Sequence, residues 1–144
     1  MLANWKEKLL GAIKKVEGKT DFLEAVCASA ALVATCDGKA SDEELIAAQK
    51  AVRSNSTLKA AFKDAQIGKT MDSMIERAQS GRTGRAGLYK EIEEIASQPQ
   101  FAEICYLVAL DVAEAEGGIA AQEREALDQI ARKLSVNPSS LDHV

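Results

Sequence analysis

The amino-acid sequence predicts an all-α protein, and three observations carry that prediction. Alanine and the straight-chain helix formers dominate a 144-residue chain that holds only two prolines, which suits uninterrupted helices. Apolar residues recur at three-to-four spacing almost throughout, the period of a helix with one buried face. No segment alternates as a strand would. At this length one domain can bury a hydrophobic core without metal or disulfide staples, so the expectation is a single-domain bundle of about eight helices over 1–144, in two pseudo-symmetric halves.

The elements follow in order. Leu2, Trp5, Leu9, Ile13 and Val16 share one helical face, with Lys6, Lys8, Lys14 and Lys15 on the others, so residues 1–19 form an amphipathic N-terminal helix. Its plain role is packing on the bundle; its sharper one is peripheral membrane contact through residues 2–16. Thr20 and Asp21 offer N-cap oxygens to a helix over Phe22–Cys36 whose only charge before Asp37 is Glu24, and a helix apolar nearly all round belongs at the centre. Gly38 ends it, and Ser41 opens an acidic helix to about Arg53 with Leu45, Ala48 and Val52 on one face.

Leu58 and Phe62 mark the next helix, Met71, Met74, Ile75 and Ala78 another, and Leu88, Ile92 and Ile95 a third. Asn55-Ser56, Gly68 and the run SGRTGRAG at 80–87 read as the breaks, the last as a mobile loop in which Arg82 and Arg85 could grip an anion. Pro99 suits the first turn of a helix carrying Phe101 to about Ala115. After Gly117-Gly118 a final amphipathic helix presents Leu127, Ile130 and Leu134, and Asn137-Pro138 caps a last turn.

Two stretches say nearly the same thing at an offset of 79 residues. Phe22/Phe101, Glu24/Glu103, Ala30/Ala109, Val33/Val112, Ala34/Ala113, Gly38/Gly117 and Glu44/Glu123 are identical pairs, and Asp37 faces Glu116. Segments 20–54 and 99–135 therefore read as an internal repeat of an apolar helix, an acid-Gly turn and a closing glutamate.

Those turns follow half of an EF-hand loop, in which an acid precedes glycine at position six, an apolar residue sits at eight and a glutamate closes at twelve. Asp37, Gly38, Ala40 and Glu44 keep that spacing, as do Glu116, Gly117, Ile119 and Glu123. Positions one and three fail, being Val33 and Thr35 in one loop and Val112 and Glu114 in the other. A second reading needs no metal: Ser41-x-x-Glu44 is a capping box, and the glycines end helices. Ala120 replaces the serine of the second box, so Glu123 there has lost its reciprocal partner. Both readings stand on the sequence.

The run ATCDGKASDEE at 34–44, its echo AEAEGGIAAQE at 113–123 and the ending IARKLSVNP at 130–138 resemble the tellurite resistance protein B (TerB-like) family over most of the chain. The resemblance implies an all-helical cytoplasmic domain of two halves, a non-enzymatic role in bacterial resistance to tellurite and related stress, and an acidic divalent-metal site. It carries that site onto Asp37, Asp42, Glu43 and Glu44 in the first half and Glu116 and Glu123 in the second. Calcium suits an all-oxygen donor set best, with magnesium, manganese and zinc still open. The implied partners are other stress-resistance proteins, some of them membrane-associated. In the second half Glu stands for Asp, and Ala120, Ala121 and Gln122 replace an acidic run, which puts that loop's binding in doubt.

Composition narrows the alternatives. A net charge of −4 argues against a nucleic-acid partner, which needs a basic patch; residues 1–19 carry +3, so the remainder carries −7. No apolar run reaches the roughly 18 residues of a membrane span, and the first segment lacks a signal-peptide core, which leads to the expectation of a soluble, cytoplasmic chain. Cys27, Cys36 and Cys105 are an odd, unpaired set that fits reduced thiols. A thiol-based redox role is the rival reading, and Cys36 beside Asp37 is its weak candidate because the carboxylate disfavours the thiolate. The sole histidine, His143, leaves zinc to scattered Cys and carboxylates, and IGKT at 67–70 lacks the first glycine of a phosphate loop.

Overall fold

A computed structural model describes residues 19–38, 40–115 and 117–141. The described residues form seven α-helices and a closing 3₁₀ turn, and no strands. The helices are α1 (Thr20–Ala34), α2 (Asp42–Arg53), α3 (Ser56–Ala61), α4 (Asp64–Ala78), α5 (Gly81–Glu93), α6 (Pro99–Glu114) and α7 (Ala121–Leu134), before the turn Pro138–Leu141. The all-α expectation holds, with one helix fewer than about eight among the described residues; the amphipathic helix expected over 1–19 lies almost wholly outside them.

Helix α1 is the axis of the bundle. Every residue from Phe22 to Val33 except Glu24 is buried, and α4, α5 and α6 pack most extensively against it, with α2 and α7 completing the enclosure. Its small residues explain the crowding: Ala25, Ala28, Ser29 and Ala31 are all fully buried and let neighbouring backbones approach, as short side chains do at close helix crossings. The polar exception is satisfied internally. The Ser29 hydroxyl donates to the Ala25 carbonyl at 3.0 Å and lies 3.1 Å from Cys105 Sγ on α6. Helix α6 buries one face and leaves Asp111 exposed. Phe22 and Phe101, equivalent in the repeat register, meet with ring centroids 5.3 Å apart at a 59° tilt, a favourable aromatic geometry.

Three local expectations need correction. Helix α1 starts at Thr20 behind Lys19, with no side-chain cap, so Thr20 and Asp21 lie inside the first turn, where the aspartate complements the helix dipole instead. Gly68 does not break a helix; it lies buried within α4, and a Cβ there would stand 3.3 Å from the Arg53 guanidinium carbon. The run at 80–87 is no loop either: α5 begins at Gly81, which takes φ +83°. A Cβ at Gly84 would lie 2.0 Å from the Arg77 carbonyl oxygen, and one at Gly87 2.8 Å from the Arg77 guanidinium. These glycines admit α5 to close contact with the end of α4.

Gly84→Ala is therefore expected to cost about 1–3 kcal/mol, as overpacking against fixed neighbours does, while Gly118→Ala, with open space around its Cβ, serves as the control in thermal melts. Glu24 supplies a second test. Burial first, then the carboxylates of Glu91, Asp21 and Glu94, raise its pKa, with Arg77 opposing. An acid whose folded pKa is raised favours folding fully below its unfolded pKa and loses that contribution as pH rises through the folded one. Glu24→Gln should raise the melting temperature at neutral pH, and the gain should vanish near pH 4; an equal gain at both would refute the assignment.

Candidate metal centre

The two helix-turn-helix loops are built by the same backbone devices. Helix α1 ends at Ala34, Gly38 turns the chain at φ +103°, and Ser41 enters α2 extended at φ −71°, ψ 163°. Helix α6 ends at Glu114, Gly117 turns at φ +113°, and Ala120 enters α7 at φ −75°, ψ 165°. Only glycine adopts such positive φ at little cost. At the first loop the capping box is complete: the Glu44 amide donates to Ser41 Oγ at 3.1 Å, and the Ser41 amide to Glu44 Oε1 at 3.0 Å. At the second, alanine has no oxygen to offer, yet the Ala120 amide still donates to Glu123 Oε1 at 2.9 Å. Glu123 thus keeps the half of the box that the serine's loss was expected to remove.

These loops face one another. Asp37 and Glu44 from the first half and Glu123 from the second line one cavity of about 250 Å³, with Cys36 and Gln122 beside them and Val33, Ala48 and Val112 among its apolar walls. The Cys36 thiol registers this proximity. Burial raises its pKa first, the Asp37 and Glu123 carboxylates add to the rise, and Arg85 pulls the other way. The thiol therefore stays protonated at neutral pH, as Cys27 and Cys105 do in the core, where burial pushes Cys105 up to about 12 and Cys27 higher still.

The sequence-predicted carboxylates part company here. Asp37, Glu44 and Glu123 share the cavity, whereas Asp42 lines a separate groove of about 840 Å³ between α2 and α4 and Glu43 is exposed. Successive helical residues point about 100° apart, so the run 42–44 cannot converge on one point. Glu116 lies outside the described residues. Among the described residues no three Asp, Glu, Cys or His side chains stand close enough together to hold a metal ion. The donors present are nonetheless carboxylate oxygens, each capping glutamate has a second oxygen free of its cap, and that chemistry fits a hard cation.

Two residues have roles here that the sequence reading did not assign to them. Gln122 counted only as a lost acid. Arg85, in the supposed loop, is half-buried and donates from Nη1 to the Thr35 carbonyl at 3.3 Å and hydroxyl at 3.2 Å. A signal for it existed: Arg85 extends the buried stripe Leu88, Ile92 and Ile95 back by one helical turn.

An all-helical domain in which two helix-turn-helix loops line one shared cavity defines a class of small helical modules. The chain belongs to the tellurite resistance protein TerB family, whose family model matches residues 23–144. Among curated proteins and among solved structures, nothing matches it. No helix of the described residues is long and apolar enough to cross a membrane.

The burial of the thiols yields a direct test. Native protein should release one thiol of its three to a disulfide reagent, that of half-buried Cys36, and all three only after denaturation. Native reaction of a second thiol would contradict the enclosure of α1 and α6.

Proposed function

We propose that this chain is a non-enzymatic tellurite- and stress-resistance module that binds a divalent cation between its two acidic loops and docks partner stress-resistance proteins in the cytoplasm. One observation carries the reading: carboxylates from sequence positions 79 residues apart, Glu44 and Glu123, line a single cavity with Asp37. Calcium is the favoured cation because the acidic donors are all oxygen and the neighbouring thiol is protonated; water or backbone carbonyls would supply the rest of its shell. Asp37, Glu44 and Glu123 would hold it. Bound there, the cation would join the two halves and set the angle between their helices.

A metal-free adaptor is the competing reading, favoured by the groove between α2 and α4, where Ile46 is 66% exposed on the rim. An exposed large aliphatic beside an apolar groove is a feature of docking surfaces. Calorimetry and thermal melts separate the two. Calcium at millimolar concentration should bind with one site per chain and raise the melting temperature, since a ligand bound only to the native state stabilises it. Glu44→Gln combined with Glu123→Gln should remove that rise. If calcium, magnesium and manganese all leave the melt unmoved, and partner capture ignores both chelator and substitutions, the adaptor reading replaces the first.

A further inference from the structure

We infer that Arg85 is a positioning residue: from α5 it caps the buried C-terminal end of α1 and so holds the Cys36–Gly38 turn that forms one wall of the shared cavity. The need for such a cap is physical. The last carbonyls of any helix lack intrahelical partners and normally turn to water or to a basic side chain of the last turn. Helix α1 has no basic residue in its last turn, and Thr35 at its C-cap is fully buried, so beyond the local amides a charged donor for this end has to come from another helix. Arg85 supplies it across 50 residues of sequence.

The contact is directional. Thr35 Oγ1 donates to the Ala31 carbonyl at 2.8 Å, which leaves the hydroxyl a lone pair for Arg85, and the Thr35 carbonyl accepts both from Arg85 and from the Gly38 amide at 3.0 Å. One carbonyl thus ties the arginine to the glycine that turns the loop. Arg85 has no ion pair among the described residues, so its charge serves the helix end, where a cation is favoured by the dipole. Among the described residues the opposite loop has no equivalent: Glu114 and Ala115, at the end of α6, are exposed and can turn to water. Gly84 and Gly87 complete the device by letting α5 approach α4 closely enough to aim its arginine inward.

That the held wall tunes a cation site rests on the function proposed above; that Arg85 holds it does not. Amide hydrogen exchange on the full chain tests the clamp. In Arg85→Ala, the Thr35, Cys36 and Gly38 amides should exchange about tenfold faster, the scale set by one charge-assisted hydrogen bond, while the Arg124 amide, bonded to the Ala120 carbonyl in the other loop, keeps its rate. Arg85→Lys should restore part of the protection. Thr35→Val, which removes the accepting hydroxyl at constant shape, should accelerate the same three amides and covers the case in which Arg85→Ala fails to fold. Unchanged rates at these amides, or a uniform acceleration in both loops, would overturn the inference. In calcium titrations of the same variants, Arg85→Ala should weaken binding severalfold at constant stoichiometry. Absence of calcium binding by the unsubstituted chain would sink the cation reading and leave the exchange result to decide the clamp.

Discussion

The structure depends on a helix that, from Phe22 to Val33, shows solvent little beyond the side chain of Glu24. With α1 buried to that extent, its neighbours must be numerous enough to surround it, and five helices do. Each large side chain so enclosed contributes about 1.5–3 kcal/mol relative to exposure, which explains why the apolar run 22–33 organises the bundle. The same burial removes water from the end of the helix. Every polar group there must then find a partner in the protein, because an unmet buried acceptor costs more than an ordinary hydrogen bond returns. Ser29, Thr35 and Arg85 are the consequences.

A duplicated sequence does not by itself say whether its two loops lie apart or together, and the burial of α1 bears on that question. Helix α6, the counterpart of α1 in the repeat register, packs directly against it, so equivalent residues come face to face. Phe22 meets Phe101, and where α1 and α6 contribute Val33 and Val112 to the cavity, Glu44 of α2 and Glu123 of α7 border it as well. Two half-loops, neither with the acids of a full calcium loop, thus present their carboxylates to a common space.

Legibility in the sequence followed the range of the interaction. Most features decided within one turn of helix were readable, among them the capping box from Ser41 and Glu44, the proline start of α6, the Asn137 cap and the three-to-four periodicity of the buried faces; the start of α1, placed behind Thr20 and Asp21, was the exception. Features decided between helices were not. The glycines at 84 and 87 carry the same local signal as a loop, and only the Arg77 carbonyl and guanidinium beside them show that they are spaces left for a neighbour. Gly68 deceived in the same way, against Arg53. The acidic run 42–44 looked like one cluster because a sequence shows adjacency, while a helix distributes adjacent residues around its axis. Of the candidate site, the carboxylates Asp37, Glu44 and Glu123 were legible through the repeat, and the cap supplied by Arg85 was hidden inside a misread loop.

The capping role of the two glutamates would not compete with the ligand role proposed for them. A carboxylate has two oxygens and about four lone-pair directions, and the N-cap amide uses one of them. With Oε1 fixed on the backbone, the remaining oxygen is restricted in where it can point, so the cap lowers the conformational entropy that any later interaction would cost. The asymmetry between the loops then acquires a meaning. The first has a full capping box and a helix end tied down by Arg85; the second keeps one hydrogen bond of its box and an exposed helix end. One wall of the cavity is therefore tied by more hydrogen bonds than the other.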